Sequence, residues 1–205
     1  MASARDKTTR RLSKEDILEK TAPLFASEGY AATSMRDLAK ACGITPAALY
    51  HHFTDKEQLY LEVLEYTFRR RIGRMGEALK GVDGFENKVR RVVEVLVDAV
   101  YDDELFLPML RRELLVRDEK RLEYLATRVF AEPFREIMRV GRDLKPDNFK
   151  PSFLAASALA LTIGHFALEP VRRYLMPSDT PDDLRQTVID HVTKLALEGM
   201  ATDSR

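Results

Sequence analysis

The chain has 205 residues, 45% of them hydrophobic and 32% charged, with 33 bases balancing 33 acids. This length can bury one or two cores, and zero formal charge excludes bulk polycationic binding, leaving charge placement to decide any contact with nucleic acid. A single cysteine, Cys42, excludes an intrachain disulfide framework and suits a reducing cytoplasm.

Taken in chain order, residues 1–12 form a basic arm. Residues 1–14 hold five bases (Arg5, Lys7, Arg10, Arg11, Lys14) against the one acid Asp6. The stretch has no apolar core and is not a secretory signal. Ahead of a DNA-binding unit such an arm tracks the backbone or enters the minor groove; the alternative is a solvated tail. A first helix is predicted from Ser13 to Glu28, opened by a Ser13…Asp16 capping box, with Ile17, Leu18, Thr21, Ala22 and Phe25 as its buried stripe. Pro23 should bend it and Gly29 should close it.

The stretch Thr33–Lys56, TSMRDLAKACGITPAALYHHFTDK, carries the densest local signals. Ser34…Asp37 is a second capping box, and Met35, Leu38, Ala39 and Cys42 share one helical face. Gly43 supplies a positive φ, and Ile44 plugs the angle between two helices. Thr45 caps a further helix, predicted over Pro46–Phe53, with proline at its first position and Leu49 and Phe53 buried. Thr54…Glu57 reads as another capping box. Helix, glycine turn, helix is the helix-turn-helix unit, whose second helix enters the DNA major groove; a generic helical corner is the competing reading.

No acid stands between Asp37 and Asp55, as a surface facing phosphates requires. Ala47 and Ala48 allow close backbone approach and methyl contact with thymine. Tyr50, His51 and His52 offer donors, Lys56 stands at a helix start, and Arg36 can reach a base or phosphate. The candidate contact set is Thr33, Ser34, Arg36, Thr45, Pro46, Ala47, Ala48, Tyr50, His51, His52 and Lys56.

From Ile17 to Leu64 the sequence resembles the TetR family of bacterial regulators: LF-x-x-x-G-Y ends the first helix, then come T-S-x-R-D-L-A, A-x-G-I-T-x-x-x-L-Y-x-H-F and x-D-K-E-x-L. The resemblance implies an all-α protein with a three-helix DNA-binding head (1–56) and a helical effector-binding and dimerisation domain (57–205). It also implies a homodimer on a palindromic double-stranded operator, released by a small-molecule effector, with Tyr50, His52 and Lys56 anchoring phosphates. The C-terminal part resembles the family only in helical layout and names no ligand.

Beyond the motif, a helix is predicted from Asp55 to Leu79 with Leu59, Val63, Leu64, Thr67, Phe68, Ile72 and Met75 on one side. Arg69, Arg70, Arg71 and Arg74 form a solvated or ligand-contacting run. Gly81–Gly84 is a break. Phe85 to Val100 traces the next helix. Asp103–Val116 follows, interrupted at Pro108, then Asp118–Val140 with Pro133 inside. After a loop at residues 141–150 come two long helices, Pro151–Leu175 and Pro181–Gly199, the second capped by Thr180. No unbroken apolar run indicates a membrane span.

Phe153–Leu168 is apolar almost all round and so must be buried on every side, one side by a partner subunit; the competing reading is the central core of a monomer. Leu161, Leu168, Leu184, Val188, Val192 and Leu195 are the candidate dimer residues. The body is rich in methionine and phenylalanine, which suits an adaptable apolar pocket, although as core filling they need no ligand. Phe68, Phe106, Met109, Arg111, Met138 and His165 are its candidate lining, for an apolar or anionic effector. No phosphate-cradling loop, G-x-S-x-G or H-E-x-x-H is present, and no cofactor or metal is expected. A helical binding protein or enzyme without DNA activity is the rival reading, and it leaves Thr33–Lys56 unexplained.

Overall fold

The computed structural model describes residues 12–101, 103–142, 150–175 and 183–201, so most of the basic arm lies outside the described residues. Among the described residues every regular element is helical. The chain divides into two compact units, Met1–Val63 and Leu64–Arg205. The division falls inside a helix rather than at its start, because Leu59, Tyr60 and Val63 belong to the first unit's core.

In the first unit, α1 (Lys14–Ala32) opens with the reciprocal Ser13–Asp16 box and buries Ile17, Ala22 and Phe25. Gly29, at φ 82°, breaks its regular geometry. Helix α2 (Met35–Cys42) is capped by Ser34 and Asp37 in both directions and ends at Gly43, φ 70°. There the Gly43 N–H donates to Lys40 O (3.0 Å) and the Ile44 N–H to Ala39 O (3.0 Å), satisfying carbonyls the helix end leaves open. A Cβ at Gly43 would meet nothing within 4 Å, so only the left-handed backbone resists substitution. Gly43→Ala is therefore expected to destabilise the unit by about 1–2 kcal/mol, measured by denaturant unfolding. Asn, which tolerates this region, should cost distinctly less.

Helix α3 spans Pro46–Tyr50, shorter than the expected Pro46–Phe53. The remainder winds into a turn in which the N–H groups of His52 and Phe53 both donate to Leu49 O, at 3.0 and 3.1 Å. The next cap takes over at once. Helix α4 (Lys56–Ile72) is not opened by a Thr54–Glu57 box. The Asp55 carboxylate accepts from Gln58 N (2.7 Å), and the Gln58 side chain accepts from Thr54 N (2.7 Å). Phe25, Tyr30 and Tyr60 cluster in the core, with ring centroids 4.8 and 5.2 Å apart.

In the second unit α4 stops at Ile72 instead of running to Leu79. Glycines at 73 and 76 weaken helix propagation, and Arg74 (φ −109°, ψ 23°) redirects the chain into the short α5, Met75–Ala78. Gly81 and Gly84, at φ 71° and 80°, make the expected break before α6 (Phe85–Tyr101). Helix α7 (Phe106–Val116) is not interrupted by Pro108, which sits in its first turn where no intrahelical N–H bond is lost. The Asp103 carboxylate instead accepts from the Leu105 and Phe106 N–H groups at 2.7 and 3.0 Å.

Pro133 causes no restart either. Helix α8 (Glu119–Tyr124) passes through a π-helical segment, Leu125–Phe130, into α9 (Ala131–Arg142), and this wider turn just before Pro133 accommodates the missing N–H. Most of the expected loop after it lies outside the described residues. Helix α10 spans Pro151–Leu175. Helix α11 is described over Leu184–Ala201, with its Gln186 N–H capped by Asp183 at 2.9 Å; the expected start at Thr180 and Pro181 lies outside the described residues.

Met75, Val89, Val92, Leu96, Ile137, Val140 and Ala155 form one core cluster, with Phe134 and Met138 against it. In a second aromatic group Phe68 meets Phe106 edge-on (4.7 Å between centroids) and stacks on Phe130 (5.7 Å). By length and composition α10 could cross a bilayer, contrary to the sequence expectation; only 17% of its apolar window is buried within the chain.

Candidate nucleic-acid interface

The caps at Thr45 and Pro46 present one face of α3 outward. Thr45 accepts the Ala48 N–H at 3.2 Å, which orients the first turn, while Leu49 (0% exposed) and Phe53 (1%) anchor the opposite face. Thr45, Pro46, Ala47, Tyr50 and His51 are exposed; Ala48 and His52 are half-buried, with the His52 ring tilted against Phe53. Tyr50 is 53% exposed, its side chain standing clear of the core. On α2 the exposed Arg36 and Lys40 are the neighbouring cations. The one acid here, Asp37, is occupied as a cap: the Ser34 hydroxyl and backbone N–H, then Lys40 and Arg36, hold its carboxyl below the usual range. The result is a small, uncharged, donor-bearing ridge flanked by cations, which suits a major groove and its phosphates.

Two members of the expected contact set face inward. Thr33 is buried, and its hydroxyl donates to the Gly29 and Tyr30 carbonyls at 3.1 and 3.2 Å. It closes α1 and is withdrawn from the interface, because a threonine after a helix end finds open carbonyls one turn back. Lys56 donates its ammonium to Tyr30 O (2.8 Å) and Thr33 O (2.9 Å) and lies 4.1 Å from the Tyr30 ring centroid. Two of its three donors are thereby committed to tying α4 to the α1–α2 corner. Lys56→Ala is expected to destabilise the head by about 1–3 kcal/mol, seen as a lower thermal midpoint. An unchanged midpoint would show that these contacts add nothing. Lys14 is likewise engaged, 2.6 Å from Glu62 and over the Phe53 ring. Burial pushes the Cys42 thiol up, as befits a packed side chain rather than a reactive one.

The expected pocket residues do not converge. Phe106 lines a cavity of about 190 Å³ with Ile72, Leu96, Leu110, Phe130 and Ile163, and Phe68 backs it. Met109 is wholly buried and is not part of the lining. Met138 belongs to the other core cluster, and the Arg111 guanidinium donates to Phe166 O at 3.3 Å. His165 lies instead in a groove along α10 with Leu161, Gly164, Leu168, Val171 and Leu175. Its ring meets His191 at 5.5 Å, a pairing no sequence spacing announced. Burial, then His191 and Arg172, lower its pKa.

The expected dimer residues split as well. Val188 and Val192 are 3% and 0% exposed and fill the core within the chain. Leu161, Leu168 and Leu195 are 39%, 63% and 42% exposed, and Leu184 is half-buried. Phe153, Val171, Tyr174 and Leu175 extend the exposed apolar face of α10.

Comparison with known proteins agrees with the helix-turn-helix. Residues 17–63 match the model of the bacterial regulatory proteins of the tetR family. The transcriptional regulator UidR of Escherichia coli K12 is 24% identical over 164 residues, covering 78% of this chain and 83% of the relative. A putative fatty acid metabolism regulator from Clostridium perfringens has the same fold, with TM-score 0.74, 20% identity, and coverage of 90% and 97%. AibR, solved with isovaleryl coenzyme A and operator DNA, gives TM-score 0.65 at 20% identity, covering 89% and 97%. Residues 17–63 carry the DNA-binding region of the tetR family of bacterial regulatory proteins, and the chain is a DNA-binding transcriptional regulator.

Proposed function

We propose that the chain is a repressor which binds a two-fold symmetric operator as a homodimer and releases it when a small molecule occupies the body. It works without cofactor or catalysis, in the cytoplasm where its DNA lies. The observation that carries the DNA reading is the exposed, acid-free face of α3 around Ala47, Tyr50 and His51. Arg36, Ser34 and Thr45 flank it, His52 and Ala48 stand at its edge, and the third donor of Lys56 completes the set. The uncovered face of α10 supports a second copy rather than a bilayer as its partner. Two-fold symmetry would place two α3 helices on successive major grooves. The family likeness to AibR, solved with an acyl-coenzyme A and operator, supports effector release. The test is a mobility-shift titration with the DNA upstream of its own gene, against scrambled DNA at equal salt. Equal affinity for the two would overturn the operator reading.

A further inference from the structure

We infer that the cavity bounded by α4, α6, α7, α10 and the π-helical segment binds a neutral, largely hydrocarbon ligand of about the size of a substituted benzene, held by one hydrogen bond to Thr162. The walls come from Ile72, Leu96, Ala99, Phe106, Phe130 and Ile163 among others, and no charged side chain lines them. A 150 Å³ cavity with Leu, Ile and Phe walls stays dry and takes up benzene. At about 190 Å³ this one has room for the ring and one or two further atoms, and is below the usual volume of a drug-sized site. The half-exposed Leu114 stands at the rim and supplies a side chain that can move aside for entry.

Thr162 supplies the polarity. It is 1% exposed, and its Oγ1 finds no hydrogen-bond partner among the described residues. A threonine within a helix ordinarily donates to a carbonyl one turn back; this one does not. Leaving such a hydroxyl unpaired in an apolar interior is costly. Water cannot relieve it well, since a buried water needs two to four polar partners and the lining offers one. A ligand bearing one hydroxyl or carbonyl satisfies Thr162 while its hydrocarbon part fills the rest. An anionic group has no counterion here, because no charged residue is among the lining and the sequence candidate Arg111 donates to the Phe166 carbonyl. This narrows the apolar-or-anionic expectation to the neutral class.

Ile72 lies in the last turn of α4, and the Phe68 of the same helix stacks on the wall residue Phe130 and meets Phe106 edge-on. An occupant therefore bears on a helix that also carries Leu59, Tyr60 and Val63 of the head. That regulatory consequence rests on the effector-release reading above; the binding itself does not.

The test titrates methyl-labelled full-length protein, without DNA, with benzyl alcohol, toluene and sodium benzoate. Benzyl alcohol and toluene are expected to shift the Ile72, Ile163 and Thr162 methyl signals saturably, and benzoate to leave them in place at the same concentration. Thr162→Val should weaken benzyl alcohol about five- to tenfold and toluene by less than about twofold. Ala99→Leu, which fills the cavity, should remove both; if that variant unfolds, the parent spectra and the Thr162→Val comparison still decide. Benzoate binding as well as benzyl alcohol would overturn the inference, as would shifts confined to other methyls or an equal loss for both ligands in Thr162→Val. Saturable binding that leaves operator affinity unchanged would overturn the release mechanism alone, and a missing operator complex would overturn only the DNA reading.

Discussion

Tyr50→Ala is expected to reduce operator affinity by about 150- to 25,000-fold while leaving the fold intact. The side chain is 53% exposed and makes no contribution to the core that Leu49 and Phe53 build beneath it. A hydroxyl donating to a phosphate is worth roughly 1.5–3 kcal/mol. A symmetric dimer loses that contact in both half-sites, so the effect enters the complex twice. Tyr50→Phe, which keeps the ring and removes the donor, should account for most of the loss if the contact is to phosphate, and for little if the ring packs on a sugar or thymine methyl. Tyrosine is uncharged, so the slope of affinity against salt should stay the same in either variant. Arg36→Ala should behave differently, flattening the slope by roughly one unit per subunit whose arginine reaches a phosphate. The readout is a salt series of mobility shifts on parent and variants, with circular dichroism as the folding control. Unchanged affinity in Tyr50→Ala would remove α3 from the interface.

The head was legible in the sequence because its determinants are local. Ser13 with Asp16, Ser34 with Asp37, Gly43, and Thr45 with Pro46 each dictate backbone geometry within a span of a few residues, and each does so in the structure. Where the reading slipped, the deciding partner was either one residue out of register or distant in sequence. Gln58 rather than Glu57 completes the α4 cap, and the Lys56 ammonium is drawn to carbonyls at Tyr30 and Thr33. A basic residue at a helix start beside a DNA motif reads as a phosphate anchor until the open carbonyls of α1 are seen next to it.

The body was legible as helices and not as sites. The large and charged side chains that stand out in the sequence, Met109, Met138, Arg111 and His165, are the residues the packing disperses. The cavity is made where small and polar groups interrupt the apolar faces, at Ala99 on α6 and Thr162 on α10. The only sequence signal was a threonine within the run Leu159–Phe166. Period alone could not tell that it meets an empty space rather than a carbonyl. The prolines misled for a related reason: Pro108 falls in a first turn and Pro133 follows a π-helical segment, so neither breaks its helix.

Leu168→Arg is expected to convert the protein to monomers at micromolar concentration and to abolish specific operator binding with it. The exposed face of α10 runs Phe153, Leu161, Leu168, Val171, Leu175, spaced so that one side of the helix is apolar along its length. An apolar face of this extent calls for a cover, and in the proposed homodimer symmetry supplies a second copy of the same face. Gly164 and Ala160 in the groove let two helices approach closely. Val188 and Val192 cannot contribute directly, being used within the chain, so α11 offers Leu195 and the half-buried Leu184 beside α10. At 63% exposed, Leu168 tolerates arginine in the monomer. In the dimer each arginine loses water against apolar side chains, and the two lie near one another if the axis passes close by. Such unpaired or like-charged burial costs several kcal/mol, on the order of a thousandfold in the dissociation constant. Sedimentation should then give one chain mass for Leu168→Arg and twice that for the parent. Val188→Arg should instead unfold the body, since that position is 3% exposed within the chain. A Leu168→Arg protein that remains dimeric and still binds operator would place the two-fold interface elsewhere and leave the apolar face of α10 to another partner.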